Sequence, residues 1–226
     1  MSTTSPLMDS ETLTPNVTAA TNFGQGLSYE LVSNGKLQKY RIMMPGPPAD
    51  SVYYIETHET LSKHKFDLLL HQGDSKDGEV LGVVKMHRRG FTIGLGDPAG
   101  EIEGKQMIWE RLERPEKYSH KIYYFDFGTG AQRMTYTYRK SLGALGKLKS
   151  MELRAGGVDE EDGQLVAKWV RSSSWTMKAG SLFIAYTAKS GQDRNPPRDK
   201  EAKKWEIMVC LTTFAIIESQ IRRSKG

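Results

Sequence analysis

KEAKKWEIMVCLTTFAIIESQIRRSKG, residues 200–226, closes the chain, and from Ile207 to Ile217 no side chain in it carries a charge. Asp199 is placed to cap a helix, Glu201 falls in the first turn, and Arg222, Arg223 and Lys225 fall at the far end. All of these suit a helix dipole, so the pattern predicts a helix over about 199–223. From Trp205 to Ile217 such a helix is about 20 Å long, against roughly 30 Å of bilayer hydrocarbon. It also carries Glu206, Thr212 and Thr213, so it is not a spanning anchor. A helix lying on a membrane surface needs a polar face, and positions 207–217 are apolar or threonine on every side. Apolarity all round predicts burial all round.

Something must enclose that helix, and the preceding residues alternate with the period of strands. RMTYTYR puts Met134, Tyr136 and Tyr138 on one face and Arg133, Thr135, Thr137 and Arg139 on the other. SMELRA repeats the pattern, and FDLLLHQ, KIYYFDF, QLVAKWVR and SLFIAYT are apolar on one face and mixed on the other. SVYYIET, EVLGVVKM, FTIGL and MIWERL extend the series, while YELVSNGKLQKYRIMM holds two extended runs around Asn34-Gly35, a strong hairpin signal. Turn clusters such as Pro45-Gly46-Pro47-Pro48, Gly128-Thr129-Gly130 and Asp162-Gly163 separate the runs. The count is about twelve short strands. Packed outside a sandwich, the helix would bury one face; inside a closed barrel it buries every face. The expectation is a mainly β fold: a closed antiparallel barrel of about twelve strands around a buried C-terminal hydrophobic helix.

Residues 1–26 are rich in Ser and Thr with few large apolar side chains and read as a disordered arm, leaving 27–226 as a single domain. The start has neither a basic opening nor an apolar stretch, and the lone Cys210 excludes an intramolecular disulfide framework. Both features point to an intracellular, cytoplasmic protein, peripheral to membranes if it meets them. The net charge is +5; residues 1–39 set Asp9, Glu11 and Glu30 against Lys36 and Lys39, a net −1, so the remainder carries +6. A basic body is compatible with acidic partners.

The barrel-and-helix pattern carries a resemblance. YYIETHETLSKHKFDLLLHQGD, GEVLGVVKMHRRGFTIGLGDP, MTYTYRK, SMELRAGG, QLVAKWVR, AGSLFIAYT and the terminal WEIMVCLTTFAIIESQIRR together resemble the tubby C-terminal-like superfamily. That superfamily includes tubby proteins, phospholipid scramblases and LURP-one-related proteins; the chain looks most like a small tubby-like domain family of fungi. The likeness covers roughly residues 28–223 and rests on strand spacing and the last helix. It implies a non-enzymatic domain that binds acidic phospholipid or phosphoinositide headgroups. No residue-by-residue match to a family binding site accompanies it.

Catalytic signatures are absent from the sequence. GLGDPAG (94–100) resembles a phosphate-binding glycine loop, but its spacing differs and Asp97-Pro98 reads as a turn. His58, His64 and His71 fall near Glu59 and Asp67, yet no two histidines are a helical turn apart, and Asp67 and His71 flank a strand on its expected outer face. No Gly-x-Ser-x-Gly elbow occurs. No cofactor or metal is expected, and the chain reads as a binding protein. The candidate residues are basic: Lys85, His87, Arg88 and Arg89 on a hairpin tip in VVKMHRRGFT, and Arg139 and Lys140 with Lys147 and Lys149 in RKSLGALGKLK. Arginine's planar fork suits phosphate, and each basic side chain near an anionic bilayer contributes about 1 kcal/mol. The expected partner is an anionic membrane surface or phosphoinositide, with a protein-interaction module as the alternative. With its helix buried, the chain has no recognition helix for nucleic acid.

Overall fold

The structure is a computed structural model that describes residues 26–33, 40–43, 52–58, 66–102, 106–115, 121–143, 146–172, 178–185 and 200–224. The Asn34-Gly35 turn, the first 25 residues and the Asn195-Pro196-Pro197 loop lie outside the described residues.

Among the described residues the fold comprises twelve strands, a short helix and a long C-terminal helix. The strands are β1 (Gly26–Ser33), β2 (Tyr40–Met43), β3 (Tyr53–Thr57), β4 (Leu68–Gln72), β5 (Val80–His87) and β6 (Gly90–Leu95). After a short helix α1 (Pro98–Ile102) come β7 (Ile108–Glu113), β8 (Ile122–Phe127), β9 (Met134–Leu142), β10 (Leu148–Ala155), β11 (Leu165–Arg171) and β12 (Lys178–Ala185). The long helix α2 (Lys200–Arg223) follows. Strands consecutive in the chain pair antiparallel, and β1 pairs with both β2 and β12. The seam between β7 and β8 is the thinnest, with the single register pair Glu113↔Tyr124. The mainly β architecture and the span of the C-terminal helix follow the alternation and dipole pattern of the sequence.

Every residue of α2 from Glu206 to Ser219 is buried. The inward faces of the strands supply its neighbours, among them Tyr29, Tyr53, Leu70, Ile93, Leu112, Tyr123 and Phe125, each no more than 1 % exposed. Close approach of the helix depends on Gly82 in β5, where a Cβ would sit 2.6 Å from the Leu211 side chain and 2.7 Å from the Gly94 carbonyl. Only glycine admits the helix at that distance. Deeper in the core, the Tyr138 hydroxyl lies 2.9 Å from the Thr212 hydroxyl and 2.8 Å from that of Thr213. This explains how two threonines and a tyrosine share an apolar interior: each polar atom finds another.

Two carboxylates flank the uncharged run and are buried with it, each 2 % exposed. Glu206 accepts hydrogen bonds from the Tyr53 hydroxyl and, at 3.1 Å, from Lys203. Glu218 accepts from Arg222 at 2.9 Å, and Arg222 also reaches Asp67 at 3.0 Å. Burying a charge is tolerated because a partner is fixed beside it.

One sequence expectation is corrected and another sharpened. GLGDPAG does not end in a plain turn: Pro98 opens the five-residue α1 and the Asp97 carboxylate accepts from the Ala99 N–H at 2.9 Å. Asp as cap and Pro at the first position form a helix start that outweighs the turn reading. His71 stands on the outer face of β4, paired with Tyr54, yet it is covered there and only 4 % exposed. Its Nδ1 lies 3.1 Å from the Gly78 carbonyl, so the turn after β4 covers it, and Glu56 sits 3.4 Å from its other nitrogen.

Antiparallel neighbours place connections alternately at two ends. The β1–β2, β3–β4, β5–β6, β7–β8, β9–β10 and β11–β12 connections share one end, and α2 finishes there: Arg222 donates to the His58 carbonyl and Gln220 to that of Gly146. The opposite end receives the start of α2, where Trp205 packs on Tyr136 and Phe127 with ring centroids 4.4 and 5.6 Å apart.

Candidate functional site

Among the described residues the two ends differ in charge. Around the finish of α2 stand Arg88, Arg89, Arg114, Lys121, Lys140, Lys147, Lys149, Arg222 and Arg223. The opposite end presents Asp74, Asp77, Asp97, Asp126 and the run Asp159–Asp162, with Lys76, Lys200 and Lys204 among them. A separation of charge along one axis gives a molecule a preferred orientation in the field of any charged body.

The β5–β6 hairpin turns at Arg88-Arg89, as VVKMHRRGFT predicts, and the side chains of Lys85, His87, Arg88 and Arg89 are all exposed. The turn's carbonyls are taken by a residue the sequence reading passed over. Arg114, just beyond β7, donates from Nε to the Arg89 carbonyl at 3.1 Å and from a terminal nitrogen to that of Arg88. Satisfying those carbonyls fixes the turn and leaves both hairpin guanidinium groups facing solvent. His87 adds a contact across the hairpin, 2.9 Å from the Thr92 hydroxyl.

Two clefts open beside this turn. One, about 550 Å³, is lined by His87, Arg89, Thr92, Arg111, Glu113 and Arg114. The other, about 300 Å³, is lined by Arg88, Arg114, Tyr123, Ser219, Arg222 and Arg223. Phe91, 6 % exposed and with its ring 5.8 Å from that of Tyr123, contributes to both.

At Tyr123 the predicted Lys140 meets the end of α2. Arg223 donates to the Tyr123 hydroxyl at 3.2 Å and to the Ser219 hydroxyl at 2.5 Å. Lys140 lies over the same ring, 5.2 Å from its centroid. Burial, with Arg223 and Arg114 nearby, pulls the Lys140 ammonium down to about 8. Among the described residues no carboxylate pairs with Arg88, Arg89, Lys140 or Arg223. Arg222 differs, being held by Glu218 and Asp67. Cations that repel one another with no counter-charge form a site that gains from an anion.

Not every candidate joins the cluster. Lys140 does, and so does Arg88, which lines the cleft with Tyr123 and Arg223; Arg89 lines the other cleft, and Arg139 points to the other face of β9 and donates to the Val158 carbonyl at 2.6 Å. Lys85 stands on the outer wall opposite Thr92. Lys147 and Lys149 are exposed at the neighbouring β9–β10 hairpin. Arg114, Arg223 and Tyr123 were missed by sequence reasoning. Arg223 had a signal, since a basic residue at a helix end was read only as a dipole partner. Arg114 and Tyr123 had none, because only the pairing of β7, β8 and β9 brings them to the hairpin.

Among the described residues no group of three or more His, Cys, Asp or Glu is placed to hold a metal ion. No described helix is long and apolar enough to cross a membrane. Comparison with protein-family models, curated proteins and solved structures gives no match to this chain.

Proposed function

We propose that the chain is a binding domain of the tubby-like type, a closed barrel about a central helix whose basic end docks on anionic phospholipid headgroups. The single observation that carries the reading is the convergence of Arg88, Lys140 and Arg223, none with a carboxylate partner, beside Tyr123 at the end where α2 finishes. The resemblance read from the sequence supports the same partner, and the pairing of β1 with both β2 and β12 supports closure. No reacting group is assigned, so the role is binding without catalysis, inside the cell and peripheral to its membranes.

Phosphate is the chemistry these residues suit. Guanidinium groups offer paired N–H donors to phosphate oxygens, and an ammonium adds a point charge. Four or five cations acting together near an anionic bilayer contribute several times about 1 kcal/mol each, enough to hold a protein of this size reversibly at a surface.

The test is sedimentation with vesicles of phosphatidylcholine alone, with phosphatidylserine, and with a phosphoinositide, over a range of salt. Binding to the two anionic vesicles that falls as salt rises, and falls again in an Arg88→Glu/Arg89→Glu variant, is the expected result. Absence of sedimentation at low salt removes the proposal. Stable capture of a protein partner that survives the same substitutions would instead favour the protein-interaction reading.

A further inference from the structure

Lys140 differs from the other described lysines at the basic end. Lys121, Lys147 and Lys149 are exposed, whereas Lys140 is half-buried. Its side chain follows Tyr138, 2 % exposed, on the inward face of β9, and its register partner on β10 is Met151, 1 % exposed. The Lys140 backbone N–H bonds the Lys121 carbonyl at 2.9 Å, which fixes the strand there. From that position the ammonium lies over the Tyr123 ring, 5.2 Å from its centroid, while Arg223 donates to the hydroxyl of the same ring. The lysine is held by an aromatic face rather than by a carboxylate.

Cations beside such an amine act on it twice. Burial and the repulsion of Arg223 and Arg114 take the ammonium down to about 8, so at neutral pH a share of Lys140 is the free, nucleophilic amine. The same end also collects anions, and Arg88, Arg223 and Tyr123 line the cleft of about 300 Å³ there. An electrophile that carries its own phosphate is both gathered and activated in this setting. Guanidinium groups that bind the phosphate also stabilise it as a leaving group.

We propose that Lys140 is a covalent modification site for small acyl phosphates, bound through their phosphate by Arg88 and Arg223. The Lys140 nitrogen attacks the acyl carbon and a C–N bond forms. The bond from that carbon to the phosphate oxygen breaks, inorganic phosphate leaves with the electron pair, and the nitrogen gives its proton to solvent. The product is a neutral amide, with one cation fewer at the basic end. The inference rests on the anion site of the reading above, not on its lipid source, and adds a stoichiometric step that opposes anion binding.

The full chain is incubated with acetyl phosphate at neutral pH and followed by peptide mass spectrometry. Lys140 is expected to be acetylated about tenfold faster than Lys147 and Lys149. Inorganic phosphate slows Lys140 alone, and Arg223→Gln slows it several-fold while the exposed lysines keep their rates. An equal rate at all three lysines overturns the proposal, and so does a Lys140 rate indifferent to inorganic phosphate or to Arg223→Gln. Should acetylation be selective while the unmodified chain fails to sediment with anionic vesicles, the covalent site stands and the headgroup reading falls.

Discussion

Arg223 donates to the Tyr123 hydroxyl at 3.2 Å, joining the last turn of the C-terminal helix to the sheet. The contact makes core and surface one object. Helix α2 is buried from Glu206 to Ser219, yet its final residues supply part of the charge of the basic end. Displacing the helix end would therefore disturb both the packing below it and the cations above it.

The buried helix sets the first prediction. Phe214, 5 % exposed, faces the sheet in the middle of α2. Phe214→Asp buries a carboxylate without a partner, which costs several kcal/mol, comparable with the stability of a whole domain. The variant is expected to lack a cooperative thermal transition by circular dichroism. Gly82→Val should behave alike, because its side chain would enter the space of Leu211.

Glu206 gives the second. Lys203→Ala removes a cation from a carboxylate 2 % exposed, and destabilisation of about 3 kcal/mol is expected in urea unfolding. Adding Glu206→Gln should recover a good part of that loss, because the charge left without its lysine is then gone. The Tyr53 hydroxyl retains an acceptor in the double variant.

Lys140 gives a pH signature. Burial and the neighbouring Arg223 and Arg114 lower its value to about 8 in the folded chain, against about 10.5 for an unperturbed lysine. Between those two values the unfolded chain binds more protons, so this group makes stability rise with pH over that window. Subtracting the melting-temperature profile of Lys140→Met from that of wild type should isolate the rise. Anion binding has the opposite dependence: it requires the ammonium and should weaken as pH passes 8, an effect absent from Lys140→Arg.

Arg114 acts through the turn it fixes. Arg114→Ala frees the Arg88 and Arg89 carbonyls and should loosen the hairpin, with faster amide exchange across Arg88–Phe91. Arg114→Lys keeps the charge but lacks the planar fork that reaches two carbonyls, so faster exchange persists with the charge intact. Loss of order at constant charge separates positioning from electrostatics.

Much of the fold was legible because strands and helix write their burial into the chain at different periods. Tyr136 and Tyr138 alternate with Thr135 and Thr137, and 207–217 lacks any polar face. His71 misled because its strand alternates while the turn through Gly78 covers it, and covering is a tertiary fact. Candidate binding residues were legible where charge clusters locally, as at Arg88-Arg89. Arg114 and Tyr123 were not, since the chain separates them from the hairpin and only strand pairing unites them. Arg139 and Lys140 show the limit of reading neighbours together: adjacent in sequence, they face opposite sides of β9.

The most direct test compares two charge reversals of equal size at opposite ends. Arg88→Glu/Arg89→Glu alters the basic end, and Lys200→Glu/Lys204→Glu alters the start of α2, with the same change in net charge. Both are measured by sedimentation with phosphatidylcholine–phosphatidylserine vesicles at low salt. The expected result is that the first variant stays in the supernatant and the second sediments like wild type. Equal loss in both would mean that net charge alone governs attachment, contradicting a site at the basic end.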